Sequence, residues 1–97
     1  MKKHTFYSLV MGKHGKPIAK EWNGFTDGIY NYYKNEYNKW FAIEPTTGLS
    51  VVYGRNTRKE CANAAHVPGM LEKVKERITI DLQTRFNSLV TEEMQHV

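Results

Sequence analysis

The sequence is poor in the features that mark secreted and membrane proteins. Among its 97 residues there is one cysteine, Cys61, which excludes an intrachain disulfide and favours a reducing compartment. Its apolar runs are far shorter than the ~20 residues of a transmembrane helix. The N-terminus lacks a small-x-small cleavage site, so we expect it to remain intact. Hydrophobic residues at 40% and charged residues at 25% predict one globular domain over residues 1–97. Together with the missing secretion and membrane features, this predicts a cytoplasmic protein without a membrane partner.

Acidic residues are absent from the first 20 positions, which carry five lysines. Residues 1–60 hold ten basic and five acidic side chains, net +5, whereas residues 61–97 hold four and five, net −1. Such a local excess of positive charge favours contact with an acidic protein surface or with nucleic acid. Lysines that keep a small protein in solution and protect its edge strands explain the same pattern.

The sequence also lacks a motif for catalysis, a metal or a cofactor. Its histidines are scattered without the spacing of a metal site, and the GKHG stretch at residues 12–15 joins two predicted strands instead of opening a helix. Cys61 follows Arg58 and Lys59 at a predicted helix start, an environment that lowers a thiol pKa, but no base stands at a suitable spacing. We therefore predict no catalytic residue, no metal and no cofactor, and an enzyme that uses Cys61 ranks last among the functions considered.

Alternating apolar and polar residues predict four strands in two antiparallel hairpins, over residues 5–11, 17–22, 39–44 and 49–53. In the second hairpin, Pro45 opens the turn and Gly48 takes a left-handed conformation. Helical spacing of apolar residues predicts a short helix over residues 26–36. Thr57 and Glu60 form a capping box for a second helix, and Pro68 opens a last helix that runs to about residue 94. The order ββα–ββα–α predicts an α+β fold, a four-stranded antiparallel sheet with helices on one face.

An aromatic block surrounds the first predicted helix. Tyr33, Tyr37 and Phe41 are predicted to pack in the core, whereas Tyr30 and Tyr32 fall on other sides of the helix. Because exposed aromatic side chains are common at binding surfaces, we predict that Tyr30 and Tyr32 contact a partner.

The last predicted helix is long for a domain of this size. About 26 residues span ~40 Å, whereas a chain of this length folds to a diameter of about 32 Å. The helix must therefore kink, fray or overhang. Val90 and Met94 lie off its main apolar stripe, which predicts a homodimer through these residues, with fraying of the last turns as the alternative.

Positive charge is concentrated at the start of the second predicted helix. Arg55, Arg58 and Lys59 form what we call the basic corner, which faces the positive end of the helix dipole. An anion bound there would offset the unfavourable field. We predict that the basic corner, with Lys13 and Lys16 as auxiliary charges, contacts an anionic partner.

Residues 40–64, WFAIEPTTGLSVVYGRNTRKECANA, contain a hydrophobic strand, a TGL turn, a second strand and a G-x-T-R-K-E-A-like entry into a helix. Cys61 stands where alanine is usual, and one extra residue separates Gly54 from Thr57. This quarter of the chain resembles small accessory proteins of bacteriophages and other mobile elements. The resemblance implies a phage-type origin and either inhibition of a host factor, including anti-CRISPR activity, or DNA binding.

These observations predict a non-enzymatic interaction protein that binds a host protein, such as an inhibitor of a nucleic-acid-handling or defence enzyme. A basic nucleic-acid-binding module is the alternative. The position of Lys13 and Lys16 relative to the basic corner discriminates between them, because a continuous phosphate track needs both on one face.

Overall fold

The computed structural model describes residues 1–95 and has an α+β fold with one antiparallel sheet and three helices. The strands are β1 Lys2–Met11, β2 Pro17–Thr26, β3 Asn31–Lys34, β4 Trp40–Ile43 and β5 Ser50–Arg55. The helices are α1 Arg58–Ala65, α2 Met70–Arg77 and α3 Ile80–Gln95. The strands follow one another across the sheet in chain order, each antiparallel to the last. The predicted α+β class with an antiparallel sheet is therefore confirmed. However, the sheet has five strands and not four, and all the strands precede the helices, unlike the predicted ββα–ββα–α order.

The additional strand, β3, replaces the predicted helix over residues 26–36. One side-chain oxygen of Asp27 accepts the backbone N–H groups of Ile29 and Tyr30, which makes a tight turn before β3. Asn35 accepts the N–H groups of Tyr37 and Lys39 and makes a second turn after it. These two turns leave only four residues between them, too few for a helix and enough for a short strand.

The second hairpin is confirmed, because β4 pairs with β5 as predicted. Gly48 has a φ of +69°, the left-handed conformation that the turn requires. The Glu44 carboxylate closes the same turn by accepting hydrogen bonds from the N–H and hydroxyl groups of Thr46 and Thr47. The turn is thus held by its own side chains as well as by the ladder.

The sheet curls until its first strand meets the β4–β5 turn. The N–H of Leu9 in β1 donates to the carbonyl oxygen of Gly48 at 2.9 Å, although β1 and β5 are at opposite ends of the strand order. Gly24 lets β2 pass close to β3, since a Cβ there would lie 2.1 Å from the carbonyl oxygen of Tyr32 and 2.9 Å from the Phe6 ring. β2 pairs with β3 only over its last two residues and is otherwise free to follow β1.

Both faces of the sheet bury apolar side chains, because neighbours along a strand point to opposite sides. The first face joins the strands to α1 and α2 through Tyr32, Ala42, Val52, Cys61, Ala65 and Val74. The second face is aromatic and comprises Phe6, Tyr33 and Ile43 with the partly buried Trp22 and Phe41. Tyr33 stacks on Trp22 with ring centroids 3.9 Å apart, and its burial confirms the predicted core position. The core prediction for Tyr37 is wrong, since it lies in the turn after β3 and is 74% exposed.

The prediction of one long last helix is wrong, because the chain breaks between α2 and α3. Ile78 is extended, with φ −76° and ψ 120°. The hydroxyl group of Thr79 accepts the N–H of Leu82 at 3.1 Å and thereby caps the start of α3. The sixteen residues of α3 span ~24 Å, which is shorter than the 36 Å long axis of the molecule. The length argument for a homodimer therefore no longer applies.

Candidate partner-binding surface

Cations of neighbouring strands meet where β5 ends. Lys34 and Arg55 are both ladder partners of Trp40, one on each side of it. Since adjacent strands are ~4.8 Å apart, the backbones of Lys34 and Arg55 are about 10 Å apart. Their side chains point to the same face of the sheet, because residues directly opposite each other in a ladder do so. The ammonium group of Lys39 donates to the side-chain oxygen of Asn56, which brings a third cation from the β3–β4 turn to this strand end.

Helix α1 begins beside these residues and adds Arg58 and Lys59. The Arg58 guanidinium lies 4.0 Å from the ring centroid of Phe25 and 5.9 Å from that of Trp40, in a cation–π arrangement. This contact holds Arg58 in a fixed orientation while it remains partly exposed. The structure therefore extends the basic corner to a larger group of cations. We call this group the basic surface: Lys34, Lys39, Arg55, Arg58 and Lys59.

The first turn of α1 is capped by its own sequence. The Thr57 hydroxyl accepts the N–H of Glu60 at 3.1 Å, which confirms the predicted cap. Arg58 and Lys59 are not needed to satisfy the helix backbone, and each opposes the helix dipole by about 0.3–1 kcal/mol at low salt. A bound anion would convert this cost into an attraction.

Within residues 1–95, no carboxylate lies within ion-pair distance of the basic surface. Across residues 1–95, the single contact within 4.0 Å between a basic and an acidic side chain joins His66 to Asp27. Every cation of the basic surface therefore lacks a carboxylate partner within the described part of the chain. The resulting positive field acts on the solvent side, where an acidic partner can approach.

The structure does not bring Lys13 and Lys16 into the basic surface. Both lie in the exposed β1–β2 turn, and the strand that leads to this turn is attached through Leu9 to Gly48, just before β5 starts. Arg55 is at the other end of β5, about 17 Å further along the strand. The two predicted groups of cations thus belong to different ends of β5.

The predicted exposure of Tyr30 and Tyr32 is wrong. Their exposed fractions are 1% and 0%, and both belong to the core that faces α1 and α2. Burial follows from the change of helix to strand, because β3 places Tyr32 between Phe25 and Ala42 in the ladder. Neither side chain is available to a partner in this structure.

Tyr32 instead joins a polar cluster with Asp27 and His66. The Asp27 carboxylate accepts a hydrogen bond from the Tyr32 hydroxyl at 2.5 Å and contacts His66 Nε2 at 2.6 Å. Burial opposes ionisation of Asp27, but its hydrogen bonds outweigh burial and lower its pKa to about 2. Burial, and then the bond to Asp27, raises the pKa of Tyr32 well above its usual range. The cluster thus joins the β2–β3 turn to the end of α1.

The Cys61 thiol is fully buried in α1. Burial raises its pKa to about 11, although Arg55 acts in the opposite direction. The expectation of a lowered thiol pKa at this helix start is therefore wrong, because desolvation is larger than the effect of the nearby cations.

The predicted interface residues Val90 and Met94 lie on α3. Val90 is partly buried, and Met94 is 59% exposed. Their exposure permits contact with a second copy, but association through them stays a prediction.

Within residues 1–95, no group of three or more His, Cys, Asp or Glu side chains is placed to hold a metal ion. In the same residues, no helix is both long and apolar enough to cross a membrane. Searches of protein-family models, curated proteins and solved structures return no match to this chain.

Sequence reasoning missed Lys34 and Lys39 as members of the basic surface. Their place in it depends on β3 and on the turn that follows, both of which the helix prediction concealed. The two asparagines of the NEYN stretch at residues 35–38 were the available signal, since asparagine is common in turns and Asn38 has a φ of +60°.

Proposed function

We propose that this chain is a small non-enzymatic interaction protein whose basic surface docks on an acidic surface of a host protein. The observation that carries the proposal is a cluster of five cations at one end of the sheet, none of which has a carboxylate of the described residues within 4.0 Å. The resemblance of residues 40–64 to phage accessory proteins supports a phage or mobile-element origin. It also supports a partner that handles nucleic acid or defends the host, as in anti-CRISPR inhibition.

The compact form of the basic surface favours a protein partner. Lys13 and Lys16 are directed elsewhere, so the cations do not line up into one long track for a phosphate backbone. An acidic patch on a protein needs only a local match of charge, and such a match mainly accelerates association. A cytoplasmic location fits this proposal, because the single cysteine forms no intrachain disulfide.

Nucleic-acid binding is the second candidate, and one contact favours it. Trp40 and Phe25 lie beside the Arg58 guanidinium, and aromatic rings next to cations stack bases in single-stranded nucleic acids. Binding to duplex DNA would weaken with salt at a log–log slope of about −0.9 for each phosphate neutralised. Nuclease-resistant capture of a protein from host lysate would instead support the first candidate.

The test compares two double variants that make the same change in charge. Arg55→Glu with Lys59→Glu reverses two exposed cations of the basic surface, whereas Lys13→Glu with Lys16→Glu reverses two at the β1–β2 turn. We expect the first variant to weaken affinity for the captured partner about tenfold or more through slower association, and the second to change it little. Arg58 is left unchanged because it packs on Phe25 and Trp40.

Both variants must first show the melting temperature of the parent protein, so that a loss of affinity reports on the surface and not on folding. Equal losses of affinity in the two variants would show that binding depends on the net charge of the protein and not on the basic surface. An unaltered affinity in the Arg55→Glu, Lys59→Glu variant would refute the docking surface.

A further inference from the structure

A cleft of ≈ 370 Å³ lies between α2 and β5. Met70 and Val74 lie four residues apart on one side of α2, and Ile78, the extended residue that follows the helix, continues this apolar wall. Leu49 and Val51 contribute further apolar surface from the start of β5. The volume is within the range of roughly 300–1,000 Å³ that is usual for small-molecule sites.

The one acidic residue of the cleft is already engaged. The Glu44 carboxylate accepts hydrogen bonds from the backbone and hydroxyl groups of Thr46 and Thr47 at 2.6–2.9 Å. Its exposed fraction is only 6%. Glu44 therefore serves the β4–β5 turn and offers little free acceptor capacity to a ligand cation.

The two cations of the cleft, in contrast, are available to a ligand. Lys73 and Arg77 line it one residue before Val74 and Ile78, so they lie one turn apart on the same side of α2. Both are exposed, and neither has a carboxylate within 4.0 Å in the part of the chain that the structure describes. Their aliphatic stems extend the apolar wall while the charged ends remain in water.

We propose that this cleft binds a small amphipathic carboxylate. Its aliphatic tail lies along Met70, Val74 and Ile78, and its carboxylate meets Lys73 and Arg77. α2 rises ~10 Å along its axis from Met70 to Arg77, and the extended Ile78 lengthens the wall beyond it, which gives room for an extended aliphatic chain. Two nearby cations favour an anionic head group over a cationic one of equal tail length. This site shares no residue with the basic surface and does not depend on the function proposed above.

The test is an NMR titration of the methyl groups of Leu49, Val51, Val74 and Ile78 with decanoate below its micelle concentration. We expect saturable shifts at these methyl groups, and much weaker binding of decyltrimethylammonium, which has the same tail and the opposite charge. Lys73→Gln with Arg77→Gln should weaken decanoate binding about tenfold, since two partly exposed ion pairs are lost.

Lys75→Gln with Arg85→Gln is the matched control, because these two cations do not line the cleft. It should leave decanoate binding unchanged. The proposal is overturned if decanoate produces no saturable shifts at the cleft, if the two head groups bind equally, or if both double variants weaken binding to the same extent. The substituted side chains are all exposed, so the variants are expected to fold.

Discussion

Asp27 connects three parts of the molecule through a single carboxylate. One oxygen accepts two backbone N–H groups and shapes the turn before β3, and the other contacts Tyr32 and His66. These contacts stabilise the ionised form and lower its pKa from 3.8 to about 2 in spite of burial. The folded state therefore binds a proton less readily than the unfolded chain, which links stability to pH.

The substitution Asp27→Asn tests whether the ionised Asp27 carboxylate makes stability depend on pH. Asparagine keeps an acceptor for the turn but loses the charge, so we expect a loss of about 1–2 kcal/mol in the free energy of unfolding at pH 7. Because the folded pKa is depressed, the contribution of Asp27 is complete above about pH 4 and declines as the pH falls to about 2. The difference between parent and variant should therefore shrink over that interval in urea unfolding experiments.

Glu36→Gln is the control, since Glu36 is an exposed carboxylate in the turn after β3. It should change stability little at any pH. A difference between parent and Asp27→Asn that stays constant from about pH 5 to about pH 2 would contradict the role assigned to the ionised carboxylate.

The β4–β5 turn organises the elements around it. It receives the N–H of Leu9 from β1, and the Gln83 amide of α3 donates to the Thr46 hydroxyl at 3.0 Å. Phe86 of α3 lies directly against Gly48, where a Cβ would come within 2.3 Å of its ring. The turn thus fixes the curl of the sheet and the position of α3 together.

Gly48→Ala and Gly54→Ala separate the cost of a left-handed backbone from the cost of crowding against Phe86. Both have φ near +60°, at +69° and +60°, but a Cβ at Gly54 meets open space. Each alanine costs about 1–2 kcal/mol for the left-handed backbone, and Gly48→Ala should cost a further 1–3 kcal/mol, roughly, from overpacking against Phe86. Urea unfolding measures both losses. Equal losses would show that Phe86 does not press on the turn.

Several elements could be predicted from the sequence because local residues determine them. Pro45 and Gly48 identified the second hairpin, and Thr57 identified the start of α1. In these cases the turn or cap chemistry and the neighbouring apolar pattern agree, so local and tertiary preferences act together.

Other elements could not be predicted because the pattern was ambiguous. The aromatic residues of 25–40 recur at helical spacing although they belong to β2, β3, the turn after β3 and β4. Recognising this requires Asp27 and Asn35 to be seen as turn formers. No proline or glycine marks the break at Ile78 and Thr79. The curl at Gly24 depends on a contact with Tyr32 that is distant from any local signal.

At the scale of the whole molecule, the fold places the basic side chains of residues 1–60 in two separate groups. Residues 1–60 supply the five cations of the basic surface from β3, the turn after it, β5 and α1. The remaining lysines of that half lie in or beside the β1–β2 hairpin. The positive charge of the first 60 residues is thus divided between two regions, and we assign partner binding to one of them.

The most direct measurement of this assignment is a ¹H–¹⁵N NMR titration of the full chain with a short polyglutamate peptide at low salt. We predict that the largest shifts fall at residues 34–40 and 55–60, that residues 12–16 shift little, and that added salt reverses the effect. Shifts that are largest at residues 12–16, or that spread evenly over all lysines and arginines, would contradict the basic surface as the binding site.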